Sequence, residues 1–451
     1  MRRKLAEQLG LVTVTTDHVR ARELVVMGRV LDELPRGVDL VYRDLLRASG
    51  KPDTGRDGMT AEQVLRAMVI KKRFGCSYDA LAFQLADSNS LRAFCRIPLS
   101  VSPPTKSTLQ RNIKRVKATT WEKINRLVVG YAQEKKIETG RKTRSDCTVV
   151  ETNIHEPSDS SLLWDCVRVL VRLMTRAKKT FGTSFNSRRR RAKRRAVGIL
   201  NAKSKQQRTA LYRDLLKVTD ETMVQANHVV EQLQKVVCST LKEMLLIQAI
   251  EQGIKEVLAH GKRVVDQTER RVLRGESVPA TEKVVSIFEP HTDIIVKDRR
   301  DTFYGHKICL TSGASGLVLD VVVEQGNPAD STLACRTVKR VTSVLGKPPK
   351  QVTFDGGFSS KANVQDIKAM GVADVVFSKH VGLEVDDMAK SKWVFRKLRN
   401  FRAGIEAGIS FLKRTFRLDR CNWSGSESFN AYVWGSVLSC NLLVVARHLL
   451  E

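Results

Sequence analysis

One run of β-branched residues, Asp146-Cys-Thr-Val-Val-Glu-Thr-Asn-Ile154, stands alone between two long stretches of helical pattern, and strand patterns do not return until Lys283. A lone strand leaves its backbone donors and acceptors unpaired, so this one needs partners far downstream. That requirement confines the chain to a sheet whose first strand is cut off from the others by an inserted block. Downstream, Val284–Phe288, Ile294–Lys297, Tyr304–Thr311 and Leu317–Glu324 read as a meander, the last two joined by the turn Ser312-Gly-Ala-Ser-Gly316. A helix Ser331–Leu345, a strand Gln351–Phe354 and a helix Lys361–Met370 stopped by Gly371 follow. A strand Val372–Phe377 and helices near 395–417 and 427–450 complete the order. The expected fold class is α/β, a mixed sheet flanked by helices, with a large all-helical insertion after the first strand.

The insertion runs from Asp159 to about Gly275, with one stripe at Leu163, Val167, Leu170, Val171 and Met174 and a second long segment from Thr219 to Ala259. Within it lies Ser187-Arg-Arg-Arg-Arg-Ala-Lys-Arg-Arg195, the densest positive charge in the chain. Such a run is either a solvated linker or a phosphate-binding tract. Mutual repulsion among the arginines favours the second, with Arg188, Arg189, Arg190 and Arg191 as contacts.

Residues 1–140 read as short helices in succession. Thr60-x-x-Gln63 forms a capping box before an apolar stripe, and Ser77 caps the next helix. After Pro103-Pro104, the segment Thr105–Lys117 sets Leu109, Ile113 and Val116 on one side and Lys106, Arg111, Lys114 and Arg115 elsewhere. A helix-turn-helix-like DNA reader fits this pattern, and so does a plain helical bundle with a charged, solvated face.

Charge weighs towards DNA. The 451 residues hold 78 Lys and Arg against 48 Asp and Glu, a formal net charge of +30, which calls for an anionic partner. No signal-peptide core follows Met1, and the greasiest stretch, Ala431–Ala446, is interrupted by Gly435, Ser436, Ser439 and Asn441, so it reads as a buried helix rather than a membrane span. The nine cysteines are scattered and never spaced Cys-x-x-Cys, which points to a reducing compartment and no zinc site.

Three acids occupy positions that chemistry would choose: Asp146 at the start of the first strand, Asp355 just past a later strand before Gly356-Gly357, and Glu406 on a helix. Strand ends of α/β sheets are where side chains from distant segments converge. Shared carboxylates suit hard divalent cations that promote phosphodiester chemistry. Turn formation is the plainer reading of each Asp, and an intrahelical ion pair that of Glu406. Rival carboxylates, Glu384, Asp386 and Asp387, lie in a stretch that reads as a loop. Phe401, Ile405, Leu412 and Phe416 form an apolar stripe beside Arg402, Glu406 and Lys413, while Gly404 and Gly408 flank the Glu and suggest a close approach by backbone or ligand.

Together Asp146–His155, the turn Gly326-Asn-Pro-Ala-Asp-Ser331, Thr353-Phe-Asp-Gly-Gly-Phe358 and Arg402-x3-Glu406-x6-Lys413 resemble bacterial insertion-sequence DDE transposases, in the branch with a Tyr-x2-Arg-x3-Glu-x6-Lys signature. The Tyr position is Arg399 here, with Phe401 nearby. The resemblance implies an RNase H-like core in 141–157 and 281–451, a helical insertion in 158–280, and an N-terminal DNA-binding domain in 1–140. It further implies Asp146, Asp355 and Glu406 as ligands of two magnesium ions, with manganese as a substitute, and Arg402 and Lys413 on DNA phosphates. The expected partners are double-stranded element ends and target DNA, bound by a dimer or higher oligomer in the bacterial cytoplasm, at the nucleoid, with no membrane and no small-molecule substrate. A non-catalytic DNA-binding regulator and an RNase H-like structure-selective nuclease are the alternatives.

Overall fold

The computed structural model describes residues 3–5, 17–49, 58–297, 301–378 and 382–451. His380, which follows the strand expected to end at Phe377, lies outside them. The chain divides into two compact units, residues 1–152 with 305–451, and residues 153–304.

In the first unit, seven helices precede the sheet among the described residues: α1 (Val19–Asp32), α2 (Pro35–Ser49), α3 (Ala61–Arg73), α4 (Tyr78–Asp87), α5 (Asn89–Phe94), α6 (Lys106–Ile113) and α7 (Ala118–Glu134). The Thr60 capping box forms in full, with Gln63 N donating to Thr60 Oγ1 at 3.1 Å and Thr60 N to Gln63 Oε1 at 3.0 Å. The helix expected over Thr105–Lys117 ends at Ile113, and α7 begins five residues later. Arg66, 1% exposed, donates to Glu62 at 3.0 Å and Asp32 at 2.6 Å, so its buried charge is compensated.

Strand β1 spans Lys142–Thr152, which puts Asp146 inside the strand rather than at its start. Polar Thr143 and Arg144 enter the ladder because strands lie on both sides of them, and Lys142 pairs on one side. β1 pairs antiparallel with β3 (Asp301–Gly313) and parallel with β5 (Gln351–Phe354), which pairs with β6 (Asp374–Phe377). β2 (Asp293–Lys297) precedes β3 in the sheet order, β4 (Val318–Val323) pairs with β3, and the short β7 (Arg420–Cys421) pairs with β1. Between and after these strands lie α12 (Ala334–Leu345), α13 (Lys361–Ala369), α14 (Val385–Met388), α15 (Lys392–Phe416) and α16 (Ser426–His448), numbered after the insertion helices.

One face of the sheet shares a core with the N-terminal helices, α16 and the end of α15, while the other face packs with α12, α13 and the start of α15. α16, the stretch read as a buried helix, is long and apolar enough to cross a membrane, yet is almost wholly covered here. Its polar residues are satisfied inside. Asn441 accepts from Val318 N at 2.8 Å and donates to Val318 O at 2.7 Å and to Asn125 Oδ1 at 2.8 Å, tying α16 to β4 and α7.

The second unit is built from α8 (Asp159–Phe181), α9 (Arg189–Leu200), α10 (Lys205–Gln234) and α11 (Leu241–Thr268) around their own apolar core. The segment expected to run unbroken from Thr219 to Ala259 is split, because Thr240 and Glu243 form a capping box that starts a new helix. Val284–Phe288, expected as a strand, is irregular. There Gln267 substitutes for a neighbouring strand, accepting from Val284 N at 2.8 Å and donating to Val284 O at 3.2 Å.

Candidate active site

The parallel register of β1 and β5 opposes Ser145 to Phe354, so the next residue of each strand, Asp146 and Asp355, emerges at the same edge of the sheet. Past Asp355 the chain turns through a single helical turn, Gly356–Phe358, whose Phe358 is fully buried and anchors the turn. α15 supplies the third acid. Ile405, Leu412 and Phe416 are buried and hold the helix on the sheet, leaving Arg402 and Glu406 on its flank.

A single guanidinium joins all three acids. Arg402 Nη2 lies 3.3 Å from Asp146 Oδ2 and 3.0 Å from Asp355 Oδ1, and Nη1 lies 3.2 Å from Glu406 Oε1. The acids grade from covered to open: the side chain of Asp146 is 16% exposed, that of Asp355 44% and that of Glu406 65%. Further bonds fix the two aspartates, with Cys147 N donating to Asp146 Oδ1 at 2.7 Å and Ser378 Oγ donating to Asp355 Oδ1 at 2.7 Å. The Cys147 thiol next to Asp146 is held protonated, its pKa pushed up by a hydrogen bond with Cys309 and by burial, so it is no nucleophile.

Three carboxylates converging on one cation form an all-oxygen donor set, the kind that hard divalent ions take, and the guanidinium stands where positive charge is wanted. Among the described residues no three metal-binding side chains gather closely enough to hold an ion as they stand. At this centre Arg402 fills the space between the acids. Its Nε is buried and has no hydrogen-bond partner, so the side chain is not saturated by this arrangement.

The contacts of Arg402 described above do not include the rival acids. Glu384 stands at the start of α14, a short helix in the stretch expected to be a loop, where its backbone N–H donates to Asp387 Oδ2 at 3.0 Å. Lys413 follows on α15, half-buried. Of the N-terminal cations, Lys106, Arg111 and Lys114 are exposed and Arg115 is half-buried beyond the end of α6.

The arginine tract divides by helix face. Arg188 pairs with Glu221 at 2.9 Å, and Arg191 and Arg195 share Asp214, so the inner side of α9 is largely compensated. Asp214 is held below its usual range chiefly by the bond from Arg191. Arg189, Arg190, Lys193 and Arg194 face outward, exposed. Their repulsion is relieved partly by acids that lie beyond the tract in sequence, which the run alone could not reveal.

Aromatic and imidazole groups sort similarly. Trp423 and Trp434 are core residues, whereas Trp393 is 65% exposed in the first turn of α15, with Lys397 Nζ 4.8 Å from its ring centroid. His306 packs edge-on against Phe429, and His291 pairs with Glu289 at 2.9 Å, both structural roles.

Comparison with known proteins adds two matches. Residues 19–115 match the family described as Transposase domain (DUF772), and residues 277–442 match the family described as Transposase DDE domain. Asp355 and Glu406 fall inside the second segment, whereas Asp146 falls in neither and owes its place to the geometry of β1. No curated protein and no solved structure matches the chain. A transposase-type helical segment followed by a transposase DDE domain on a mixed α/β sheet makes this chain a member of the insertion-sequence DDE transposases, enzymes that cut DNA and transfer its strands.

Proposed function

We propose that this transposase binds the ends of its own insertion sequence and cuts them in a magnesium-dependent reaction at Asp146, Asp355 and Glu406, then joins the freed 3′ end to target DNA. The observation that carries the reading is the meeting of the three acids at Arg402. When bound between these carboxylates, one or two divalent ions, magnesium or manganese, would activate the attacking oxygen and stabilise the leaving one. Asp146 and Asp355, fixed by Cys147 N and Ser378 Oγ, give the site its rigid side. Glu406 closes it from the helix. Arg402, with an unfilled buried Nε–H, turns its guanidinium from the acids to the phosphate that is cut, and Lys413 holds a phosphate further along.

End recognition falls to residues 1–140, through α6 and its exposed Lys106, Arg111 and Lys114, with Arg115 just beyond. The outward cations of α9 add sequence-independent contacts to phosphates. Synapsis of two ends calls for at least a dimer on DNA.

The decisive experiment incubates the full chain with a duplex carrying its element's end and titrates magnesium. Cleavage that needs the metal, and vanishes in Glu406→Gln while end binding persists, supports the reading. Strong cleavage by Glu406→Gln, or loss of cleavage in Glu384→Gln or Asp386→Asn, moves the third acid to the 384–387 segment and refutes it.

A further inference from the structure

Arg144 lies two residues before Asp146 on β1, hence on the same face of the strand and beneath α15. Its guanidinium spans two elements. Nε donates to Ser312 Oγ at 3.1 Å on the neighbouring strand β3, and Nη1 donates to the carbonyl oxygen of Phe401 at 2.9 Å within α15. The guanidinium carbon also stacks 4.7 Å from the Phe401 ring centroid. Burial pulls the pKa of this arginine below its ordinary value, but a guanidinium is not deprotonated in proteins, so all its donors are retained.

The helix is shaped to receive it. A Cβ on Gly404 would stand 1.9 Å from Arg144 Nη1, so only glycine admits the guanidinium against the helix here. One turn later Gly408 meets nothing within 4 Å, and a cavity of about 270 Å³ opens beside Arg144, Gly404, Gly408 and Phe411. The stretch of α15 that bears Glu406 thus runs past an unfilled space, with two glycines that contribute no side-chain packing. Here a bidentate arginine is a firmer brace than van der Waals contact, because its planar fork fixes direction as well as distance.

We infer that Arg144 is a positioning residue for the acid group: by locking the Phe401–Gly404 turn of α15 onto β1 and β3, it sets where Glu406 stands relative to Asp146. The inference rests on the proposed role of Glu406. Arg144 itself touches none of the three acids through any bond described above; it acts through the helix.

The test is a double-mutant cycle read by binding of Mn2+ alone to the full chain, followed by electron paramagnetic resonance of the free ion, with melting temperature as a control. Arg144→Ala should weaken Mn2+ binding by about 10-fold in the otherwise native chain, as loss of outer supports of metal ligands does. In the Glu406→Gln background the same change should matter by less than about 2-fold, since the residue it positions no longer contributes a charge. Ser312→Ala, which removes only the Nε partner, should act in the same sense by about 3-fold, and it decides the matter should Arg144→Ala not fold. Arg144→Lys, unable to make both bonds in the fixed fork geometry, should rescue only in part. Equal weakening in both backgrounds, or none in either, overturns the positioning role while leaving the acid group intact. Native Mn2+ binding by Glu406→Gln alone would instead overturn the reading of the acid group, and the positioning role with it.

Discussion

Replacing Arg402 by Gln should tighten divalent-metal binding in the absence of DNA while impairing cleavage in its presence. On the proposed reading the guanidinium and a metal ion would compete for the same three carboxylates, so the expected gain is the worth of the ion pairs that the metal must break. Those pairs are unequal. The contact with Glu406, whose side chain is 65% exposed, is worth at most about 0–1 kcal/mol, as exposed pairs are. The contact with Asp355, 44% exposed, is discounted in the same way. The contact with Asp146 joins groups 14% and 16% exposed at 3.3 Å and dominates. Allowing about 1–2 kcal/mol in all after screening, Mn2+ should bind the variant roughly 10-fold more tightly, since about 1.4 kcal/mol is one factor of ten. Calorimetry of Mn2+ into DNA-free protein measures this directly. Adding an end duplex should then raise the affinity of the native chain towards that of the variant, because the phosphate draws Arg402 off the acids. Unchanged or weaker metal binding by Arg402→Gln, or no effect of DNA on the native chain, would refute the competition.

Two further outcomes follow from other parts of the chain. Replacing Arg189, Arg190, Lys193 and Arg194 by Gln should lower the salt dependence of DNA binding by roughly one unit of slope for each phosphate no longer neutralised, whereas replacing Arg188, Arg191 and Arg195 should lower the melting temperature and leave the slope nearly unchanged; the reverse pattern would remove α9 from the DNA interface. Lys72 is buried, its Nζ lies 2.7 Å from the Tyr432 ring centroid without a hydrogen-bond partner, and burial drives its pKa well below the usual lysine range. Between that lowered pKa and about 10.4 the unfolded chain binds the extra proton, so folding stability rises with pH through this window and levels off above it. Lys72→Met should therefore melt higher than the native chain at neutral pH, by an amount that shrinks as pH climbs to about 10; a difference that stays constant with pH would show that the amine is charged when folded.

Much of the sheet was readable because its strands are short β-branched runs between turns, and β3, β4, β5 and β6 all lie where that pattern put them. Errors occurred where side chains did the work of backbone. Val284–Phe288 has strand composition, but its ladder partner is the amide of Gln267, a residue whose sequence position announces nothing. The start of β1 was missed for the opposite reason: Lys142, Thr143 and Arg144 look like a polar linker and become strand because β5 pairs with all three and β3 with the last two. At the site, the i, i+4 spacing made the Arg402–Glu406 pair legible, and the glycines beside Glu406 pointed to a close approach. Neither spacing nor composition could say that the visitor at Gly404 is Arg144, or that Arg402 also reaches two aspartates from other elements. Those contacts exist only once the parallel register has aligned Asp146 with Asp355.

The graded exposure of the acids gives the exchange at Arg402 a direction. In water-rich surroundings the attraction between Glu406 and the guanidinium is screened, so an arriving phosphate meets its weakest competitor there. The pair with Asp146 is screened least and holds the side chain by its inner nitrogen, Nη2, which also serves Asp355. On the proposed role of Arg402, release would begin at Nη1, the side chain turning about its inner contacts towards the open, Glu406 side. Glu406 would thereby be freed while both aspartates still share the guanidinium, so at no stage would three bare carboxylates face one another. Self-repulsion among like charges is the chief cost of such a cluster, and this order of exchange keeps a cation among the acids throughout.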